Sequence, residues 1–184
     1  MILEDFKRKA EWYGYSPSYR STFRMLFSDG SSAQCVYRAM RWCQNHHLSP
    51  LALFFYRWNA NISQAVIGRN AQFGPGLIIL HSNGIVINSN VRAGSNLTLE
   101  HQVTIGAEKG LSPILGDNVF IGAGAKIIGA VYVGSDVKIG ANAVVTRDLP
   151  DGATAVGIPA KIVRIYGKRV DDEDNPILPQ GMAQ

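Results

Sequence analysis

The sequence predicts a mainly β protein, a parallel β-helix preceded by an α-helical segment. An apolar residue recurs at every sixth position from 67 to 145, and thirteen of these fourteen positions are apolar. Glycine directly follows the repeating position in seven of the hexads. A period of six matches neither the 3.6-residue repeat of a helix nor the two-residue repeat of a strand. It fits a coil in which each hexad forms one short strand and one corner.

Three hexads would close one triangular coil. Residues eighteen apart in sequence would then stack on one face, about 4.8 Å from each other. The fourteen hexads would make between four and five coils. The only position that breaks the pattern is Lys109, in the segment 106–113, which we expect to leave the coil as a loop that rejoins it at Leu115.

Residues 1–66 lack the six-residue period and predict helices. Residues 2–12 form a charged amphipathic pattern, a second helix is predicted from Ser31 to Asn45, and Ser49-Pro50 marks the start of a third. The spacing of Ser31 and Gln34 predicts a capping box. The predicted organisation is a helical segment (1–66), a β-helix domain (67–165) and a C-terminal tail (166–184), of which about the last fourteen residues are expected to be loose.

Composition narrows the function classes. The 184 residues suffice for one sizeable core, and 46% hydrophobic with 17% charged residues exclude a disordered chain. The net charge is +4, but the cations are scattered apart from four between positions 161 and 169, which argues against a nucleic-acid partner. The sequence shows neither a secretory leader nor the roughly 20 apolar residues of a membrane span. We therefore expect a cytoplasmic protein.

Two of the four histidines are candidates for chemistry. In the six-residue frame, His81 is the third residue of the hexad at Ile79, and His101 lies in the hexad that begins eighteen residues later, so both should face one groove. His46 and His47 end a predicted helix, where a cation is favoured for structural reasons. A zinc or iron site would need these histidines with Asp117 or Glu100, but no close spacing such as His-x3-His occurs, so no metal is expected.

Four segments carry a resemblance to a known family. They read Ile-Leu-His-Ser-Asn-Gly-Ile-Val-Ile at 79–87, Gln-Val-Thr-Ile-Gly at 102–106, Ile-Gly-Ala-Gly-Ala-Lys at 121–126 and Val-Gly-Ile-Pro-Ala-Lys at 156–161. Together with the hexads, they make residues 20–165 resemble the hexapeptide-repeat acyltransferases of the serine acetyltransferase family. The resemblance implies a left-handed coil and an O-acetyltransferase that uses acetyl-CoA. It also implies a homotrimer, which can pair into a dimer of trimers, with active sites between subunits.

The resemblance also implies roles for particular residues. His81 falls on the family's catalytic histidine and would be the general base that deprotonates the acceptor hydroxyl. His101 would be a second acid/base or a ligand of that hydroxyl, and Glu100 is a candidate to orient an imidazole. The residues implied in binding acetyl-CoA are Gly106 and Ala107 near the thioester, Ala123 and Ala141 along the pantetheine arm, and Lys161 and Arg164 at the phosphates.

Two departures from the family pattern bear on the acceptor. Serine acetyltransferases carry aspartates where this chain has Val66 and Leu80, so that Glu100, Asp117 or a group from the neighbouring subunit would have to replace them. The family's loop has an Arg-His pair suited to a carboxylate, whereas this loop reads Leu-Ser-Pro at 111–113. Because a missing polar partner costs much discrimination, we expect a sugar or polysaccharide precursor as acceptor, as in exopolysaccharide O-acetyltransferases.

Three alternatives stay open. The first is a serine acetyltransferase of cysteine biosynthesis in which Lys109 or a neighbouring subunit supplies the missing groups. The second is a non-catalytic trimeric scaffold that keeps the coil without the chemistry. The third is a metal enzyme resembling the carbonic anhydrases of the same fold, which use three histidines where this face offers two.

Overall fold

A computed structural model describes residues 1–16 and 18–170 of the chain. Four helices come first: α1 (Ile2–Trp12), α2 (Tyr19–Met25), α3 (Ser31–Asn45) and α4 (Ser49–Asn61). Sixteen short strands follow: β1 (Ala65–Ile67), β2 (Gln72–Phe73), β3 (Ile78–Ile79), β4 (Ile85–Ile87), β5 (Arg92–Ala93), β6 (Thr98–Leu99), β7 (Thr104–Gly106), β8 (Ile114–Leu115), β9 (Phe120–Ile121), β10 (Lys126–Ile128), β11 (Tyr132–Val133), β12 (Lys138–Ile139), β13 (Val144–Val145), β14 (Ala153–Val156), β15 (Lys161–Ile165) and β16 (Lys168–Arg169). The predicted mainly β chain with a helical N-terminal segment is confirmed.

The strands form the three faces of a coil. Sheet A contains β1, β4, β7, β10 and β13, and sheet B contains β2, β5, β8 and β11. Sheet C contains β3, β6, β9, β12 and β14, to which β15 and β16 add an antiparallel hairpin. All pairs within the coil are parallel, because each strand pairs with its equivalent one turn earlier or later.

The core is a stack of aliphatic side chains that point into the coil. In sheet A, the paired residues form a column of Ile67, Ile87, Ile105, Ile127 and Val145. All five are buried, and the other two sheets contribute similar columns. Burial of this kind stabilises the coil by about 25 cal/mol per Å² of apolar surface.

Two turns of the coil are longer than the uniform eighteen residues that the period predicts. Paired residues lie 20 apart between β1 and β4 and 22 apart between β7 and β10, whereas β4 and β7 pair at 18. Two extra residues lie between β3 and β4, and four extra residues lie in the predicted loop before β8. The two insertions add up to six residues, which is the length of one hexad. The six-residue period is therefore in register again after the second insertion, and the sequence pattern does not reveal either one. The positions that the period selects in between, Ile85, Val91, Leu97 and Val103, are a second set of buried residues, two before the paired ones.

The helical segment closes the β1 end of the coil and is tied to it by buried polar groups. Asp5 on α1 pairs with Arg38 on α3 (Nε to Oδ2 2.7 Å), and its Oδ1 accepts hydrogen bonds from the backbone N–H groups of Gly76 and Leu77. Arg38 in turn donates to the backbone carbonyls of Phe73 and Gly74. Each partner of this buried ion pair is therefore also bound to the backbone just before β3.

The predicted capping box at the start of α3 is wrong. The N-cap residue is Gly30, and no side chain caps the helix. Ser31 Oγ instead accepts a hydrogen bond from Lys9, and Gln34 Oε1 accepts one from the backbone N–H of Ile79. Gly30 has a φ of 72°, and a Cβ there would overlap the carbonyl of Ile79. Only glycine therefore allows the chain before α3 to come this close to the end of β3.

The described part of the predicted C-terminal tail, residues 166–170, continues the terminal hairpin. Lys168 and Arg169 form β16, which pairs with β15 in a hairpin. The rest of the predicted tail, residues 171–184, lies outside the described residues. In the part of the chain that the structure covers, no helix has the length and apolarity needed to cross a bilayer.

Candidate functional site

The two candidate histidines are neighbours at the corner between sheets C and A. His81 lies two residues after Ile79, and His101 two residues after Leu99, which is the β-pairing partner of Ile79. Their ring centroids are 5.9 Å apart in an edge-to-face arrangement. The predicted proximity is confirmed, although the coil between them is twenty rather than eighteen residues long.

A carboxylate from the helical segment contacts the imidazole of His81. Nδ1 of His81 lies 2.6 Å from Oδ2 of Asp29, in the loop between α2 and α3. Oδ1 of Asp29 accepts a hydrogen bond of 2.7 Å from the backbone N–H of Gly30. The hydrogen bond with His81 is the main reason why the pKa of Asp29 lies below its usual value; the Gly30 N–H adds to this, and partial burial opposes it.

This arrangement determines which nitrogen of His81 can act as a base. An ionised carboxylate only accepts hydrogen bonds, so the proton in the His81–Asp29 contact belongs to Nδ1 of the imidazole. Nε2 then carries the lone pair. With 48% of the His81 side chain exposed, the ring is accessible to a substrate.

Asp29 was not among the candidates from sequence, and neither of the two carboxylates that were candidates is hydrogen-bonded to His81. Oε2 of Glu100 is 3.8 Å from Nδ1 of His101, and Asp117 accepts a hydrogen bond from the backbone N–H of Ser95 at a different corner. The orienting carboxylate of His81 is therefore neither Glu100 nor Asp117. Leu80, where the family has an aspartate, is 4% exposed and part of the packing. No sequence period links Asp29 to His81. In the sequence, Asp29 and Gly30 form only a turn-like pair that predicts a break before α3.

The end of α1 borders the same site. The pKa of Tyr13 is raised, first by partial burial and then by the negative charges of Asp29 and Glu100. The preceding residue, Trp12, stacks on Phe120 of sheet C with centroids 5.5 Å apart. Tyr13 was not among the residues singled out from sequence, where it directly follows the amphipathic pattern of residues 2–12.

The corner row is the set of five residues that follow the paired ends of sheet C by two positions: His81, His101, Ala123, Ala141 and Gly157. The pairing of Leu99 with Ile121, Ile121 with Ile139 and Ile139 with Ala155 places them in successive coils. Coil spacing puts Gly157 about 14 Å from His101. The row changes from two imidazoles to small side chains only, so an extended ligand could lie along it with its reactive end at the histidines.

The other predicted cofactor-binding residues lie at two places. Gly106 ends β7, and Ala107 begins the loop, so both are across sheet A from the histidines. Lys161 pairs with Val156, next to the Gly157 end of the corner row. Arg164 pairs with Arg169 in the terminal hairpin, and these three cations line a cleft of about 550 Å³. Over the described residues, no group of three histidines, cysteines or carboxylates is placed to hold a metal ion.

The chain is similar to known transferases. Residues 112–147 match the family model described as bacterial transferase hexapeptide (six repeats). A serine acetyltransferase of Helicobacter pylori is 48% identical over 120 residues, which cover 63% of this chain and 66% of that protein. A serine acetyltransferase of Synechococcus elongatus is 31% identical over 173 residues, 91% of this chain and 71% of that protein.

A solved structure shares the fold. The serine acetyltransferase of Brucella abortus in complex with coenzyme A superposes with a TM-score of 0.77 at 28% identity, covering 88% of this chain and 66% of that one. This chain thus spans about two thirds of the length of these proteins. The likenesses confirm the predicted fold class, a left-handed parallel β-helix built from hexapeptide repeats.

The comparisons overturn the expected acceptor. The prediction of a sugar or polysaccharide hydroxyl is wrong, because these relatives are serine acetyltransferases and none is named for a saccharide. The prediction rested mainly on the loop that lacks the Arg-His pair, and it also gave weight to the missing aspartates at positions 66 and 80. The structure supplies a carboxylate from Asp29, so their absence does not argue against a family member.

Proposed function

The chain belongs to the serine acetyltransferase family, and we propose that it transfers the acetyl group of acetyl-CoA to the hydroxyl of L-serine. The names of the relatives and the coenzyme A complex support the two substrates. The observation that carries the mechanism is the His81–Asp29 hydrogen bond, which leaves Nε2 of His81 as the basic atom at the end of the corner row.

His81 acts as the general base. Its Nε2 takes the proton of the serine hydroxyl while the oxygen attacks the thioester carbonyl carbon. The C–S bond then breaks, and His81 returns the proton to the departing sulfur, giving O-acetylserine and free coenzyme A. Asp29 holds the ring in the required tautomer and stabilises the imidazolium that forms during the transfer.

The charges around the acceptor suit an amino acid. Glu100 and Asp29 lie on the acceptor side and favour the α-ammonium of serine, and His101 is close enough to His81 to hold the acceptor hydroxyl. The substrate carboxylate requires a cation, and the Leu-Ser-Pro sequence has none in place of the family's Arg-His pair. We assign the binding of this carboxylate to Lys109, at the tip of the same loop, contributed from a neighbouring subunit.

Acetyl-CoA lies along the corner row. Ala123 and Ala141 leave room for the pantetheine arm, because a larger side chain at either position would occupy the row. Gly106 and Ala107 contact the thioester end, and Lys161 and Arg164 bind the phosphates through charge-assisted hydrogen bonds. Since Gly106 and Ala107 lie across sheet A from the histidines, they act on the thioester of the neighbouring subunit's site.

The assembly follows from this sharing of residues. We infer a homotrimer, in which each active site combines the corner row of one subunit with the loop of the next. The part of the helical segment away from the Asp29 loop and the end of α1 lies outside the shared surface and is available for pairing two trimers. Sedimentation velocity of the full chain would give three or six times the monomer mass of 20.0 kDa, and a stable monomer that retains activity would refute the shared site.

The proposal is tested by thiol release from acetyl-CoA. We expect turnover with L-serine, none with free hexoses or nucleotide sugars, and a fall of about 10²- to 10⁴-fold in kcat/KM for His81→Ala. His47→Asn, a histidine substitution in the loop between α3 and α4, is the matched control and should keep full activity. Turnover with a sugar but not with serine, or an active His81→Ala variant, would refute the proposal.

A further inference from the structure

Lys9 on α1 is a fully buried cation whose three N–H groups are all engaged. Its Nζ donates to the backbone carbonyl of Asp29 at 2.5 Å, to Oγ of Ser31 at 2.9 Å and to the backbone carbonyl of Ile79 at 2.8 Å. The side chain has no exposed surface, and burial lowers its pKa from 10.5 to about 8. A lysine is rarely buried in this way, because desolvating an ammonium is costly.

The three partners show what the cation joins. Asp29 carries the carboxylate that contacts the proposed base, His81. Ile79 lies two residues before His81, at the end of β3. Lys9 therefore bridges the two backbone segments that carry the two members of the His81–Asp29 pair. That pair is itself largely exposed, at 48% and 59% of the side chains, and exposed ion pairs fix their own geometry only weakly.

We propose that Lys9 is a positioning residue for catalysis: it holds the Asp29 loop against the end of β3 so that the Asp29 carboxylate stays on Nδ1 of His81. This role rests on the proposed function of His81. All three acceptors are engaged only by the protonated ammonium, because a neutral amine has two N–H groups. Gly30 supports the same contact, since its lack of a side chain lets the loop lie against the Ile79 carbonyl.

A second buried group on α1 provides the matched control. Asp5, one helical turn before Lys9, anchors the same helix through Arg38, Gly76 and Leu77, and it makes no hydrogen bond to Asp29, Ser31 or Ile79. Asp5→Asn weakens the docking of α1, and Lys9→Met weakens the same docking but also frees the Asp29 loop. A merely structural role for Lys9 predicts that the two variants behave alike.

Steady-state kinetics with acetyl-CoA and L-serine test the proposal. Lys9→Met should lower kcat about 10- to 100-fold while leaving KM for acetyl-CoA within twofold, because misplacing a catalytic group by about 1 Å costs up to this much. Asp5→Asn should keep at least half of kcat despite a lower Tm. In an Asp29→Ala background, Lys9→Met should have no further effect on kcat, since its action passes through Asp29.

A spectroscopic measurement does not depend on turnover. In ¹⁵N NMR of the full chain, His81 should show the Nδ1–H tautomer, and Lys9→Met should convert it to a mixture while Asp5→Asn leaves it unchanged. If Lys9→Met does not fold, Lys9→Gln, which keeps two N–H donors, takes its place in both experiments. Unchanged kcat and an unchanged tautomer in the folded variant would overturn the proposal. Absence of turnover in the wild-type protein would instead refute the proposed function, with the tautomer still reporting on Lys9.

Discussion

The coil and the helical segment contribute to the site in different ways. In the coil, the paired residues are about twenty apart in sequence, and each coil repeats the last, so that one position predicts the next. The contacts from the helices span much more of the chain: Asp29 lies 52 residues from His81, Lys9 lies 70 from Ile79, and Asp5 lies 72 from Leu77. In the proposed mechanism, the coil provides the base and the row along which the acyl donor lies. The helices provide the carboxylate that orients the base, and this division can be tested region by region.

The largest effect is expected from a break in the coil. Ile105→Ala removes a buried side chain from the middle of the sheet A column and should lower the free energy of unfolding by about 2 to 5 kcal/mol. Urea denaturation measures the loss. The matched substitution Val86→Ala, in the same sheet but on its exposed side, should cost less than about 1 kcal/mol. Equal losses at both positions would contradict an inward-facing column.

In the helical segment, a pH-dependent contribution of Lys9 to stability is the next largest effect. Its folded pKa of about 8 lies below the ordinary 10.5, so between these values the unfolded chain binds a proton that the folded chain does not. The unfolding free energy of the wild-type protein should therefore rise relative to that of Lys9→Met as pH increases from 8 towards 10.5, by up to about 3 kcal/mol. Denaturation of both proteins across this range gives the difference. If the unfolding free energies of the two proteins changed equally with pH, the lowered pKa of Lys9 would be contradicted.

Blocking the corner row should affect one substrate only. Ala141→Phe is expected to raise KM for acetyl-CoA about tenfold, which corresponds to about 1.4 kcal/mol of binding, and to leave KM for serine unchanged. Ala60→Phe, in α4 of the helical segment and away from both the corner row and the loop, is the control. An Ala141→Phe enzyme with normal KM for acetyl-CoA would show that the donor follows a different path.

The smallest effect is expected at the loop. Lys109→Ala should raise KM for L-serine about two- to fivefold, because an exposed charge pair contributes about 1 kcal/mol or less, and Lys109→Arg should restore it. KM for acetyl-CoA serves as the internal control. If Lys109→Ala left KM for serine unchanged, the substrate carboxylate would have another partner.

The periodic part of the fold was predictable because burial recurs at fixed spacing. Ile67, Ile127 and Val145 occupy the predicted inward positions, and the loop around Lys109 leaves the coil as expected. The insertion between β3 and β4 was hidden, because Ile85 also points inward and thus kept the apparent frame intact. The proximity of His81 and His101 was found despite this error, since both lie two residues after paired strand ends.

The contribution of the helices was not predictable from local pattern. Asp29 reads as a turn residue, Lys9 as one charge of an amphipathic helix, and Ser31 with Gln34 as a cap. Lys9 and Gln34 instead bind the end of β3, Asp29 binds the histidine that follows it, and Ser31 accepts a hydrogen bond from Lys9. Such contacts depend on how the helices dock on the coil, and this single sequence shows no regularity that reports it.

The central claim, that Asp29 of the helical segment makes His81 of the coil a base, is tested most directly by kcat/KM of Asp29→Asn with acetyl-CoA and L-serine. An asparagine amide can donate to Nδ1 and stabilise the tautomer with a protonated Nε2, which is unable to accept the serine proton. We predict a loss of about 10²- to 10⁴-fold, with Asp29→Ala less impaired because its imidazole is free to adopt either tautomer. An Asp29→Asn enzyme within twofold of the wild-type kcat/KM would contradict the account.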